Sequence, residues 1–327
     1  MKLGVVGSGS IVRVVLELWK KLDIEVGALW CREQDLDQGC SLKEEFGIPV
    51  VYTDYGEFLA DDSYDTVYVG LVNSLHFEYS LGALEAGKHV VCEKPFTSTA
   101  AQARKLIDTA RGNNLFVFES ILPWYQENYR EIRRRLPELG DIKLVQCSLS
   151  QYSRRYAAYL VGTVLPVFDP MLDGGALFDM GTYSVHWVMG LFGVPKDVSY
   201  HANLGYNGID VSGVLVLDYG SFKAVCMTAK DSTSPNRSII QGDKGYLLQP
   251  TEPARCEGVS IVLNGQEPKS VDIEKLEDGF GCIWRSISQT MADRDFEGAW
   301  ALVERAAEVI DVMERARKNA GIRFSCD

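Results

Sequence analysis

No run in this sequence approaches the roughly 18 consecutive apolar residues that a membrane-crossing helix needs, so no membrane span is expected. There is no Cys-x-x-Cys pair either. The eight cysteines are widely scattered, which argues against a zinc site or a disulfide framework and reads as reduced thiols, several of them buried. Basic residues are outnumbered 33 to 45 and form no extended cluster, and a formal charge of −12 excludes nucleic acid as an expected partner. The one dense basic run, Arg133-Arg134-Arg135, lies between Glu131 and Glu138 in a helix-patterned stretch and reads as a solvated helix face. A secretory leader is not expected, because Gly7-Ser8-Gly9-Ser10 and Arg13 interrupt the first apolar stretch; the expected location is cytoplasmic.

What is present is an ordinary globular composition, 46% hydrophobic and 24% charged, over 327 residues. That length is about twice the ~150 residues of a typical domain. In the first 120 residues apolar runs of strand length (Leu3–Val6, Ile24–Trp30, Val50–Tyr52, Thr66–Leu71, His89–Cys92, Leu115–Phe118) alternate with helix-patterned segments near 11–22, 41–46, 55–60, 77–86 and 99–112. Such alternation marks a parallel sheet covered by helices. Thr99 and Gln102 have capping-box spacing, which sets the start of the last of these helices.

The first strand runs directly into Gly7-Ser8-Gly9-Ser10-Ile11-Val12 and then an apolar helix pattern. A dinucleotide-binding turn needs this context: glycine for the bend, a second small residue so that backbone donors can approach pyrophosphate, and a helix N-terminus whose dipole favours the anion. Val12 stands where a third glycine is usual, a position that governs helix–strand packing more than phosphate contact. At the end of the second strand the sequence reads Trp30-Cys31-Arg32-Glu33. With Arg32 in place of a ribose-binding carboxylate, NADP(H) is expected over NAD(H), a weak preference because Glu33 is adjacent.

Two further stretches, Val69-Gly70-Leu71-Val72-Asn73-Ser74-Leu75-His76 and Ala86-Gly87-Lys88-His89-Val90-Val91-Cys92-Glu93-Lys94-Pro95, together with the opening glycines and a later Gly-Gly-Ala-Leu-Phe-Asp motif, resemble the glucose–fructose oxidoreductase / inositol dehydrogenase / MocA-like (Gfo/Idh/MocA) family over nearly the whole chain. The resemblance implies a Rossmann dinucleotide-binding domain, a doubly wound parallel sheet, over 1–120. It implies a C-terminal α+β substrate-binding and oligomerisation domain over 121–327, built on a large, mostly antiparallel open sheet. It also implies a homodimer formed through that sheet. By the same resemblance Leu71, Asn73 and His76 lie on the cofactor loop, Glu93 near the nicotinamide ribose, and Lys94 beside the substrate and the nicotinamide. From the residues alone, positions at the carboxyl ends of parallel strands line the crevice where such sheets bind ligands.

After about residue 121 the pattern changes to a helix near 125–136, a strand at Ile142–Leu149, a long loop to about 173 and a helix near 176–192. Strands follow at Val211–Leu217, Phe222–Thr228, Ser238–Gln241, Gly245–Leu248 and Val259–Leu263, and an amphipathic helix spans Phe296–Lys318. Short links between consecutive strands imply antiparallel pairing. The helix after Gly174-Gly175 carries Asp179, Tyr183 and His186, which at about 100° per residue share one face. In the family the aspartate is commonly followed four residues later by a histidine that handles the proton. Here that place holds Tyr183, as in glucose–fructose oxidoreductase and dihydrodiol dehydrogenase members, with His186 as the alternative carrier. A phenol, with a reference pKa of about 10, serves as base when a cation favours its ionised form, and Lys94 is the expected source.

The expected activity is therefore an NAD(P)-dependent oxidoreductase, without a metal, that moves hydride between the cofactor and a hydroxyl or carbonyl of a sugar, cyclitol or related diol. Two other readings stay open at this stage. One is a glycosidase of the same fold that retains NAD, and the other is a nicotinamide-sensing regulator without turnover.

Overall fold

The computed structural model describes residues 1–273 and 280–327. The chain divides into two compact units, Met1–Ser120 with Phe280–Ala307, and Ile121–Gly279 with Glu308–Asp327. In the first unit β1 (Lys2–Val6), α1 (Ser10–Lys21), β2 (Glu25–Trp30), α2 (Leu36–Phe46), β3 (Val50–Tyr52), α3 (Tyr55–Ala60), β4 (Thr66–Val69), α4 (His76–Glu85), β5 (His89–Glu93), α5 (Ala100–Gly112) and β6 (Val117–Ser120) alternate. The strands form one parallel sheet in the order β3-β2-β1-β4-β5-β6. This is the Rossmann order, and the winding reverses between β1 and β4, where such sheets bind their ligands. Strands β1, β2, β4 and β5 read as near-continuous apolar runs because a parallel sheet is buried on both faces. Helix α1 forms because Val12, Val15, Leu16, Leu18 and Trp19 recur at helical spacing and are all buried. The capping box at Thr99 and Gln102 is present as the spacing indicated.

The second unit holds α6 (Glu127–Arg135), β7 (Ile142–Ser150), α7 (Tyr156–Leu160), α8 (Thr182–Phe192), β8 (Asp197–Leu204), β9 (Asp210–Asp218), β10 (Lys223–Ala229), β11 (Arg237–Gly242), β12 (Gly245–Gln249), β13 (Ser260–Leu263) and β14 (Lys269–Ser270). These eight strands make one sheet in the order β14-β13-β12-β11-β7-β10-β9-β8, antiparallel except for the β7/β10 pair. One face of the sheet is covered: Val145, Cys147, Leu215, Leu217, Ala224, Ile240 and Leu247 share a core with Val185, Trp187 and Val188 of α8. The arginine run on α6 is neutralised locally, with Arg134 and Arg135 on Glu131 at 2.9 and 2.7 Å and Arg135 also on Glu138 at 3.0 Å. The loop over 151–173 is not structureless. It contains α7, and Tyr159 stacks between Phe168 and Tyr206 at centroid distances of 4.9 and 4.4 Å.

The structure departs from the sequence reading in further elements. The chain returns to the first unit after residue 279, through α9 (Gly281–Ala292) and the first half of α10 (Phe296–Asn319), whereas the sequence suggested one boundary at 120/121. Aromatic burial accounts for the return: Trp284 meets Trp19 and Tyr68 at 4.7 and 5.7 Å, Phe296 stacks on Phe116 at 4.1 Å, and Trp300 Nε1 donates to the Leu115 carbonyl at 3.1 Å. Strand β8 escaped the sequence reading because it is a sheet edge with only Val198 and Tyr200 buried, so its apolar alternation is short. The expected helix over 176–192 is interrupted, as described below.

Candidate functional site

The nucleotide half begins at Gly7. Its φ of +113° and a hypothetical Cβ only 2.6 Å from the Gly70 carbonyl oxygen restrict the position to glycine. Gly9 precedes α1 without any side-chain cap, a Cβ there would meet nothing within 4 Å, and the first turn of α1 carries no acid. Gly9 and Ser10 are exposed, Ile11 is half-buried, and Ser8 is buried against the turn. The backbone donors at the positive end of a twelve-residue helix therefore face open space, which suits a pyrophosphate. The missing third glycine is made good by the residue that follows β4. Val12 is fully buried, and a Cβ on Gly70 would lie 2.9 Å from its Cγ2, so Gly70 supplies the room that Val12 takes.

Arg32 stands just beyond the tip of β2, its side chain 53% exposed and its Nε donating to Asp35 Oδ2 at 2.7 Å. Glu33 begins a short 3-10 turn, Glu33–Asp35, on the exposed surface. Leu71 and Asn73 are half-buried after β4. His76, expected beside them on the cofactor loop, is instead turned inward. Only 1% exposed, its ring places Nδ1 2.8 Å from the Pro95 carbonyl and Nε2 3.1 Å from the Leu71 carbonyl. Burial lowers its pKa, with the Pro95 and Leu71 carbonyls pulling the other way, and His76 braces two loops.

Glu93 ends β5 and is buried, accepting from the Tyr68 hydroxyl at 2.9 Å; burial raises its pKa, with Lys94 pulling the other way. Lys94 follows, half-buried, before a cis bond to Pro95. The next residue is pinned by β6, where Glu119 Oε1 accepts from the Phe96 amide at 2.8 Å.

A second candidate site is built on the segment leading into α8. Gly174 and Gly175 are required there: a Cβ on Gly174 would lie 2.7 Å from the Pro166 carbonyl oxygen, and one on Gly175, whose φ is +101°, would lie 2.1 Å from Asp210 Oδ1. Asp210, buried on β9, accepts from the Leu177 amide at 2.7 Å and from the Tyr200 hydroxyl at 2.7 Å. It thus caps the helix from a distant strand. The turn Leu177–Gly181 is a π turn, a feature often found at functional sites.

That turn alters the phase assumed for Asp179, Tyr183 and His186. Asp179 and Tyr183 are half-exposed, whereas His186 is fully buried, with its ring 4.8 Å from Trp124 and its carbonyl accepting from Trp124 Nε1 at 2.9 Å. The three do not form one accessible row. A partner absent from the sequence reading appears instead: Lys230, just past β10 and 4% exposed, forms an ion pair with Asp179 Oδ2. The two are 51 positions apart, so no local spacing signals the pair. Among the described residues no cluster of three or more His, Cys, Asp or Glu is arranged to hold a metal, and no helix is long and apolar enough to cross a membrane.

Known families match the chain in both of its units. Residues 1–120 match the family described as "Oxidoreductase family, NAD-binding Rossmann fold", and residues 129–248 match the "GFO/IDH/MocA C-terminal domain". The scyllo-inositol 2-dehydrogenase (NADP(+)) IolU of Bacillus subtilis (strain 168) is 30% identical, over 92% of this chain and 98% of the relative. The trans-1,2-dihydrobenzene-1,2-diol dehydrogenase of Xenopus tropicalis is 32% identical, over 82% of this chain and 80% of the relative. The fold is that of KijD10, a 3-ketoreductase from Actinomadura kijaniata solved with NADP and TDP-benzene, at a TM-score of 0.84, 22% identity, and coverage of 98% of this chain and 97% of that one. With both of its halves matched, and a relative similar over nearly its full length, the chain belongs to the Gfo/Idh/MocA family of NAD-binding oxidoreductases.

Proposed function

We propose that this enzyme is an NADP(H)-dependent dehydrogenase or reductase that interconverts a hydroxyl and a carbonyl on a sugar, cyclitol or related diol. The observation that carries the reading is the pairing of an open, acid-free N-terminus of α1 with an exposed Arg32 at the tip of β2, where a ribose-binding carboxylate would otherwise stand. It is supported by two relatives whose names specify NADP(+), the inositol dehydrogenase and a D-xylose 1-dehydrogenase of Hypocrea jecorina. The cofactor contacts proposed are Gly7, Ser8, Gly9, Ser10 and Ile11 at the phosphates, Arg32 at the 2′-phosphate, and Leu71, Asn73, Glu93 and Lys94 toward the nicotinamide.

Bound NADP+ supplies a hydride acceptor. In the oxidative direction the carbinol C–H pair leaves as hydride, the hydroxyl proton passes to Tyr183, and the C=O bond forms. A base in the tyrosine class needs a cation to favour its anion. Asp179 receives a hydrogen bond from a substrate hydroxyl and orients the ring. His186, fully buried against Trp124, is set aside as the carrier.

The test follows formation of reduced nicotinamide from NADP+ with scyllo-inositol, D-xylose and trans-1,2-dihydrobenzene-1,2-diol, extended to a panel of aldoses and cyclitols. Turnover with a member of the panel is expected, together with a loss of about a hundredfold or more in kcat for Tyr183→Phe. Folded protein that reduces no cofactor with any of them contradicts the reading.

Two copies are proposed to pair through the outer face of the eight-stranded sheet. That face carries partly exposed apolar residues in register, Val216 opposite Val225, Val214 opposite Met227 and Ile239 opposite Leu248. Sedimentation at micromolar concentration is expected to give a dimer; a monomer would remove this assignment. The cytoplasm is the compartment proposed, in keeping with eight free thiols.

A further inference from the structure

Lys230 is nearly enclosed, and a buried ammonium is retained only where anionic partners offset the loss of water. Its side chain is 4% exposed, Nζ pairs with Asp179 Oδ2, and Nζ lies 5.5 Å from the centre of the Phe168 ring. Its backbone amide donates to the Val211 carbonyl at 2.8 Å, one residue beyond Asp210. Burial opposes ionisation of Asp210, while the Tyr200 hydroxyl, the Leu177 amide and the charge of Lys230 favour it. One buried cation thus pairs with one carboxylate and acts electrostatically on a second. One of these, Asp210, caps the π turn, and the other, Asp179, rides on that turn.

We propose that Lys230 is a positioning residue of the substrate half-site. By holding one carboxylate oxygen of Asp179, it keeps that group ionised and in a single orientation, so that Asp179 accepts hydrogen bonds from substrate hydroxyls and leaves proton transfer to Tyr183. This rests on the roles given above to Asp179 and Tyr183. The atoms balance without Lys230 exchanging a proton: the carbinol carbon gives up hydride to the oxidised cofactor and the hydroxyl proton goes to Tyr183. The titratable groups tied to the pair are Asp210 of β9, on which the charge of Lys230 acts, Tyr200 of β8, which donates to Asp210, and Asp231, the next residue after Lys230.

The experiment compares full-length Lys230→Met and Lys230→Arg with the parent protein, using the polyol that gives the highest turnover with NADP+. Two readouts are taken. The first is kcat/KM against pH, and the second is a carbon-13 NMR titration of side-chain carboxyls, with the Asp179 resonance identified by its loss in Asp179→Asn. For Lys230→Met the expected results are a fall of at least about tenfold in kcat/KM and an upward shift of about one pH unit or more in both the acid limb and the Asp179 midpoint. Lys230→Arg, which keeps the charge but not the geometry, is expected to hold the Asp179 midpoint at the parental position while raising KM. In an Asp179→Asn background, Lys230→Met should cost little more, because the pair acts as a unit.

An unmoved Asp179 midpoint in Lys230→Met, or costs that multiply in the double variant, would overturn the proposal. Should Lys230→Met fail to fold, the Lys230→Arg midpoint and KM decide alone: an Asp179 midpoint displaced upward with the charge retained, or an unchanged KM, overturns it. If Asp179→Asn itself leaves kcat/KM at the parental value, the underlying reading of Asp179 fails, an outcome separate from failure of Lys230.

Discussion

Single residues divide into those whose chemistry is carried by their immediate neighbours and those whose role depends on distant contacts. Gly7, Gly9 and Arg32 belong to the first class, because a strand, a tight turn and a helix start follow one another in sequence and define what each must do. His76, Asp210 and Lys230 belong to the second. The brace from His76 to the Pro95 carbonyl spans 19 positions and the pair between Lys230 and Asp179 spans 51, so neither leaves a local pattern. Arg317 is of the same kind. Only 1% exposed, it lies 4.1 Å from the Phe324 ring centre and binds Asp327 Oδ1 at 2.8 Å, holding that carboxyl well below the usual range. A depressed folded-state pKa contributes stability that is present above the unfolded value of about 3.9 and is lost as pH falls toward the folded value. Asp327→Asn is therefore expected to lower stability at neutral pH by about 3 kcal/mol, since it leaves a buried guanidinium without its carboxylate. The difference from the parent should shrink below about pH 4, as urea unfolding at a series of pH values will measure; a difference that persists unchanged in acid would contradict this pairing.

Secondary-structure elements were legible where periodicity and punctuation agree. Most strands of the parallel sheet and the capping box of α5 fall within two residues of their expected positions, because fully buried parallel strands give continuous apolar runs that helices interrupt. The segment leading into α8 was legible as a helix but not as a π turn, and Asp210, which accepts from the first amide of that turn, lies on another strand. The same limit applies to the exchange of Val12 for glycine, whose compensation by Gly70 lies just past the strand next door. Gly70→Ala is expected to destabilise the protein by about 1–3 kcal/mol through overpacking, since its Cβ would meet Tyr68 Cε1 at 2.8 Å and Val12 Cγ2 at 2.9 Å. Adding Val12→Ala should recover part of that loss, as denaturant midpoints will show. No recovery would mean that the two positions do not share one space.

For the whole molecule, the two-domain plan and its oxidoreductase character were readable from the nucleotide turn and the Glu93-Lys94-Pro95 run, while the return of residues 280–307 to the first unit was not. That return depends on Trp284, Phe296 and Trp300 finding aromatic and backbone partners far earlier in the chain. The central claim, an NADP-binding enzyme that recognises the 2′-phosphate through Arg32, is tested most directly by titrating the purified protein with NADPH and with NADH, following nucleotide fluorescence, and repeating both titrations on Arg32→Ala. The account predicts tighter binding of NADPH than of NADH, with the difference lost in the variant while NADH binding is kept. Tighter NADH binding that is unaffected by the substitution would contradict the assignment of Arg32 and of NADP(H). Binding of neither nucleotide by folded protein that carries none would contradict the nucleotide site itself.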